Sequence, residues 1–271
     1  MELQFWGVRG SFPVSGKDRD KYGGHTPCAS IRAADGSVII VDAGTGIKDL
    51  GDAILREDNR RRRELHLLLT HFHLDHITGL PFFAPLYSSR TILNIYADEE
   101  PGRTEKYLAG LMGGRYYPWE LSKTPSAKNF ERIPKAGYQI GTVKISWCPL
   151  RHPQGSVAYK FEEKGKSLIF ATDTEHPVKG LDETLVVFAQ GTDFLVYDAT
   201  FTPEEYSGRR GWGHSTWLEG TKIAEAADIG TLCLSHLNPD YPDKLIDEIV
   251  ARARRVFRST IAARQGLQIV L

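Results

Sequence analysis

The chain has 271 residues, with 34 basic and 34 acidic side chains, no formal net charge, 41% hydrophobic residues and 25% charged ones. That balance suits a globular protein with a sizeable core and excludes one built chiefly to coat nucleic acid or an anionic membrane. It has no apolar run of the roughly 18 residues a membrane span needs, no apolar leader, and three scattered cysteines (Cys28, Cys148, Cys233) rather than CxxC pairs, so a cytoplasmic protein without a disulfide scaffold is expected.

In chain order, short apolar runs recur, and several end on a residue that can carry chemistry. Val38–Val41 ends at Asp42, and a helical pattern over 46–56 places Ile47, Leu50, Ile54 and Leu55 on one face. Leu67–Thr70 runs into His71. The segment 98–128 is the least regular and predicts a projecting helix plus loop. Alternation over 142–147 and 156–161 predicts strands; further strands over 167–172, 194–197 and 232–235 end at Asp173, Asp198 and His236. Pro242 opens an amphipathic helix over 242–257. In layered α/β proteins, ligands sit beyond the carboxyl ends of strands, so one polar site assembled from distant segments is expected. The element order predicts a single domain over 1–271 with a four-layer αββα sandwich and mixed sheets.

The densest signal is His71-Phe72-His73-Leu74-Asp75-His76, an HxHxDH pattern with three imidazoles and one carboxylate in six residues after an apolar strand. His71 and His73 could chelate one metal ion, and Asp75 and His76 could turn toward a second. The pattern resembles the metallo-β-lactamase superfamily. His152, in Pro-Leu-Arg-His-Pro, is similar to that family's third histidine, Asp173 to its bridging aspartate, His236 to its last histidine and Asp42 to its early aspartate. The resemblance implies one metal held by His71, His73 and His152, another by Asp75, His76 and His236, and Asp173 between them. Asp42 would orient a ligand rather than bind metal. Zinc is the default for this donor set, with manganese or iron also compatible.

A second pair of motifs, Tyr197-Asp198-Ala199-Thr200-Phe201 and Gly211-Trp212-Gly213-His214-Ser215-Thr216, resembles the ribonuclease Z-like phosphodiesterase branch. It implies attack on phosphorus by a metal-bridging hydroxide that Asp75 helps to hold. His214 would assist the leaving group, with Asp198 orienting it. Thr216 to Glu219 also reads as a capping box, placing His214 at a helix N-terminus. The first thirty residues look like a bacterial subgroup related to cyclic-nucleotide phosphodiesterases, with His25 where asparagine is usual. A small cyclic nucleotide or related phosphodiester is therefore the expected substrate. The tRNA-processing members carry a long arm, and only twenty residues stand between His152 and Asp173. Extended nucleic-acid binding is thus not expected, and a tRNA 3′-processing endonuclease is the alternative. A thioester hydrolase and a non-catalytic metal-binding member are the other readings. The run Arg60–Arg63 reads as a solvated turn. Arg9, Trp212 and the aromatic cluster Arg115, Tyr116, Tyr117 and Trp119 are candidate substrate contacts, and the family pattern implies a homodimer.

Overall fold

The protein is described from a computed structural model covering residues 1–57 and 62–271. The first half of the chain forms β1 (Glu2–Gly7), β2 (Cys28–Arg32), β3 (Val38–Val41), α1 (Ile47–Glu57), β4 (Arg63–Leu68), the single turn α2 (Leu74–Ile77), β5 (Thr91–Ala97), α3 (Pro101–Ala109) and β6 (Ala127–Arg132). The second half forms β7 (Tyr138–Ile140), β8 (Val143–Leu150), β9 (Ser156–Glu163), β10 (Lys166–Ala171), α4 (Glu183–Ala189), β11 (Phe194–Asp198), α5 (Pro203–Tyr206), α6 (Trp217–Ala226), β12 (Thr231–Ser235), α7 (Asp243–Val256), β13 (Thr260–Ala262) and β14 (Gln268–Val270).

These strands make two seven-stranded mixed sheets, ordered β14-β1-β2-β3-β4-β5-β6 and β13-β12-β11-β10-β9-β8-β7. Antiparallel pairing runs from β14 to β3 and from β7 to β10, and parallel pairing from β3 to β6 and from β10 to β13. β1 alternates half-buried and buried positions, turning Leu3 and Phe5 inward, whereas β11 is buried at every residue. Such a run needs cover on both faces, and the layers supply it. Between the sheets, Leu3, Phe5, Ile31, Val41 and Leu68 meet Ile145, Tyr159, Phe161 and Phe170. Outside the first sheet, Ile47, Leu50 and Ile54 of α1 pack with Ile40, Leu65, Leu67 and Ile95. Each such aliphatic side chain stabilises the packed state by about 1.5–3 kcal/mol. Outside the second sheet, α4, α6 and α7 contribute Leu185, Ile223, Ile246 and Ile249. The expected αββα sandwich is the fold.

Two expectations need adjusting. The excursion over 98–128 is the β5–β6 crossover: α3, an irregular stretch, then β6, whose first residues are 127 and 128. Its parallel pairing to β5 is tertiary information. In the arginine run, Arg60 and Arg61 lie outside the described residues, Arg62 is exposed, and Arg63 opens β4. Among the described residues, no helix is long and apolar enough to cross a membrane. The three cysteines are free and buried.

Candidate metal centre

The site lies where the parallel strands of both sheets end. Asp42, Asp173 and His236, just past β3, β10 and β12, adopt left-handed backbone conformations with φ of 62°, 58° and 54°. Non-glycine residues rarely hold that geometry, though Asp and His tolerate it better than β-branched ones. It bends each side chain back over the sheet ends. β4 runs on to Thr70 and His71, and the α2 turn presents Asp75 and His76. The end of β8 delivers His152.

Five imidazoles converge, and each has its outer nitrogen taken. His76 Nδ1 donates to Asp42 Oδ2 at 2.8 Å, and His152 Nδ1 donates to the Gly213 carbonyl at 2.8 Å. His73 Nε2 donates to Gln154 Oε1 at 2.9 Å. The Thr70 hydroxyl donates to Asp42 at 2.9 Å, so its oxygen accepts from His71 Nδ1 at 3.0 Å. The Thr200 hydroxyl donates to the His236 carbonyl at 2.9 Å and accepts from His236 Nδ1 at 2.9 Å. In its neutral form each ring is thereby fixed in the tautomer that turns a bare lone pair inward.

The inward atoms are too close for lone pairs left alone. His73 Nδ1 and His152 Nε2 are 3.0 Å apart. His76 Nε2 lies 3.2 Å from Asp173 Oδ2 and 3.5 Å from Asp75 Oδ2. His236 Nε2 lies 3.3 Å from both Asp75 Oδ2 and Asp173 Oδ1. His71 Nε2, His76 Nε2 and Asp173 Oδ2 are buried without a hydrogen-bond partner among the described residues. Donors about 2.0–2.1 Å from a tetrahedral zinc ion stand roughly 3.3 Å apart, so the donor types and spacings fit divalent cations. His71, His73 and His152 form one group able to hold an ion, Asp75, His76 and His236 another, and Asp173 reaches His71 and His76.

The electrostatics follow from burial and opposite charge. Burial opposes ionisation of Asp173, but His236, His76 and His71 outweigh it and hold the carboxyl well below its usual range. Burial likewise opposes a charge on His76, and Asp173, Asp75 and Asp42 overcome it, pushing the imidazole well above its usual value. His71, buried and beside His76, is pushed well below.

His214 stands beside this cluster and differs from the other rings. Its Nδ1 donates to Asp198 Oδ2 at 3.0 Å, and its Nε2 makes no hydrogen bond among the described residues. Burial opposes its protonation, but Asp198, Asp173 and Asp75 raise its pKa to about 9. Asp198 is saturated: it also accepts the backbone N–H groups of Asp173, Thr200 and Ser215 at 3.0, 3.0 and 3.1 Å. The expected capping box is half present. Thr216 caps the Glu219 N–H at 3.2 Å, whereas the Glu219 carboxylate pairs with Lys222, and His214 precedes the cap by two residues.

Several further residues complete the site. Ser11 N–H donates to Asp75 Oδ2 at 2.7 Å, and a Cβ on Gly10 would fall 2.3 Å from the His236 ring. A Cβ on Gly213 would fall 2.2 Å from His152 Nδ1, so glycine lets the backbone carbonyl dock there. The carboxylate of Glu175 accepts Gly211 N–H at 2.8 Å, Gly213 N–H at 2.9 Å and the Tyr206 hydroxyl at 2.9 Å, fixing the loop that leads into His214. Thr200 and Gly213 stand inside the motifs quoted above, and Thr70 and Glu175 lie within two residues of His71 and Asp173, the signal that could have found them.

Other candidates fall elsewhere. Arg9 is corrected from substrate contact to internal brace. It is fully buried, donates to the carbonyls of Gly23, Asn238 and Tyr241 at 2.9, 3.1 and 2.8 Å, and lies 3.5 Å from Asp243. Tyr117 is likewise turned inward, its hydroxyl 2.8 Å from the Pro81 carbonyl, and Trp119 packs on Tyr87. Arg115 and Tyr116 are exposed, and none of these four lines the cavity of about 380 Å³ beside His71 and His73. That cavity is walled instead by Phe72, Tyr107, Asp98, Glu99 and Gln154. His25 contacts Thr45 and Asp49 away from the cluster. Trp212 is exposed in the loop before His214.

Residues 38–237 match the family described as Beta-lactamase superfamily domain. A protein named Ribonuclease Z from Bradyrhizobium sp. (strain ORS 278) is 27% identical, over 96% of this chain and 96% of its own. YhfI from Bacillus subtilis, a metallo-β-lactamase fold protein, superposes with a TM-score of 0.74 at 20% identity, over 99% of this chain and 98% of its own. A diphosphatase of the PhnP family gives 0.70 at 19% identity, over 100% and 97%. At these identities the two structures speak for the fold alone.

Proposed function

Since the chain belongs to the β-lactamase superfamily, we propose that it is a metal-dependent phosphodiesterase. His71, His73 and His152 would hold one divalent ion, Asp75, His76 and His236 a second, and Asp173 both. When bound, the two cations would act as Lewis acids on the phosphoryl group and activate water. The chain's own residues do the rest. Asp42, Thr70, Thr200, Gln154 and the Gly213 carbonyl keep the lone pairs inward, and the Ser11 amide steadies Asp75. His214, held protonated by Asp198, donates from Nε2 to the departing oxygen as the P–O bond breaks.

The observation that carries this reading is the His214–Asp198 pair: a proton donor, free at one nitrogen, beside donors already sufficient for metal. Hydrolysis of bis(p-nitrophenyl) phosphate, metal-loaded against chelated, tests it. Metal-dependent turnover that His214→Ala removes without changing metal content supports the reading. Equal turnover in that variant, or none despite bound metal, overturns it.

A second reading, a 3′ endonuclease on tRNA precursors, is favoured by the relatives. Their shared name, Ribonuclease Z, over nearly the whole chain puts RNA ahead of the cyclic nucleotide as substrate class. Against an arm-gripped tRNA stands the β9–β10 hairpin, which occupies most of the chain between His152 and Asp173.

A further inference from the structure

The loop 207–213 carries Arg209, Arg210 and Trp212 and runs directly into His214. Three glycines and full exposure at its tip would ordinarily leave such a loop loose. Here it is fastened. Glu175 takes the N–H groups of Gly211 and Gly213, Gly213 docks on His152, and the Arg209 N–H donates to the Tyr206 carbonyl at 2.9 Å. Glu175 is itself tied to the end of β8, its N–H donating to the Arg151 carbonyl at 2.7 Å. The fastened loop presents two guanidinium groups with no hydrogen bond or ion pair among the described residues. Arg209 lies over the Trp212 ring at 4.9 Å and Arg210 over Tyr206 at 5.9 Å. Trp212 is 57% exposed even so. A rigid aromatic beside unpaired guanidinium groups matches a base with its phosphate.

We propose that Trp212 and Arg209 form the seat for a nucleotide on the leaving-group side, so that the substrate is a linear diester of nucleotides rather than a cyclic one. This rests on the phosphodiesterase reading, because His214 marks where the departing oxygen sits. The bond from phosphorus to that oxygen breaks as water's oxygen bonds phosphorus, one proton of that water staying on the phosphate product and the other leaving to solvent. The His214 proton passes to the departing alcohol, which is the 3′-oxygen of the seated nucleotide. Its base lies on Trp212 and its own 5′-phosphate meets Arg209. A cyclic nucleotide has no second base or second phosphate to place there.

The test titrates tryptophan fluorescence of the metal-loaded full chain with 5′-AMP, adenosine and inorganic phosphate. It is repeated on Trp212→Phe, Arg209→Ala and, as a surface control, Arg115→Ala. The expected result is saturable quenching by 5′-AMP that Trp212→Phe abolishes and Arg209→Ala weakens about tenfold, with Arg115→Ala as wild type. Adenosine should bind about tenfold more weakly than 5′-AMP. No saturable quenching, equal binding in all variants, or adenosine binding as well as 5′-AMP overturns the proposal. In turnover, preference for a 5′-phosphorylated linear diribonucleotide (pApA) over 2′,3′-cyclic AMP should fall about tenfold in Arg209→Ala; an unchanged preference also counts against it. Bis(p-nitrophenyl) phosphate distinguishes the two failures. If no diester is cleaved the phosphodiesterase reading falls, whereas diester cleavage without a 5′-AMP seat overturns this inference alone.

Discussion

Asp42 and Asp173 occupy matching places in the two sheets. Each follows the strand, β3 or β10, at which antiparallel pairing gives way to parallel pairing, and each has a left-handed backbone, with φ of 62° and 58°. Both are almost fully buried. Their surroundings differ in one respect: which atoms bring protons. Asp42 accepts from Thr70 N–H at 2.8 Å, the Thr70 hydroxyl at 2.9 Å and His76 Nδ1 at 2.8 Å, so its charge is compensated by hydrogen bonds. Asp173 faces imidazole nitrogens whose ring N–H is engaged on the outer side, and its Oδ2 has no hydrogen bond among the described residues. The same residue at the same place in the plan is thus a brace in one sheet and an open donor in the other. The difference arises one layer out, in the groups that set each histidine's tautomer.

That contrast is exposed to direct attack. Asp173→Asn should have the largest effect, because the groups on both sides of it lose a shared donor. Metal retained after dialysis should drop for both ions, and diester turnover should fall to background. Asp42→Asn should keep both ions but bind them about 10–100-fold less tightly in a chelator competition. Equal losses in the two variants would erase the distinction between them. His214→Ala should lower turnover by about 10²–10⁴ with metal content intact, separating proton donation from metal binding. Gln154→Ala should loosen the ion on the His73 side about tenfold, and Gln154→Glu, which still accepts the Nε2 proton, should restore it. If metal competition curves for Gln154→Ala overlay wild type, the tautomer argument fails at that ring. Arg9→Ala should act least on catalysis. KM should be unchanged while stability falls by roughly 1–3 kcal/mol for the orphaned carbonyls, a drop in Tm of several degrees by the usual scaling of roughly 2–4 °C per kcal/mol. A raised KM without a lowered Tm would return Arg9 to the substrate.

The chemistry of the cluster was legible because metal ligands must be His, Asp or a few other types, and HxHxDH concentrates them within one turn of chain. Asp173, Asp198 and His236 were legible because each ends an apolar run, and a buried strand ending on a polar residue marks the carboxyl edge of a sheet. The supporting shell was not. Gln154 lies 81 residues from His73, and the Ser11 amide 64 residues from Asp75. A backbone N–H or a lone amide acquires meaning only from what is brought opposite it. Arg9 misled for a related reason: an arginine among motif-like residues looks available, and only packing shows its guanidinium enclosed by three carbonyl groups.

By itself, then, the sequence determined the donor inventory, the layered α/β plan and the strand ends on which the donors sit, since these depend on residue type and short-range periodicity. The tertiary structure decided which lone pairs point inward, which aspartate is a brace and which is open, and where unpaired cations remain. Those properties belong to pairs of groups from distant segments, and folding alone brings the pairs together.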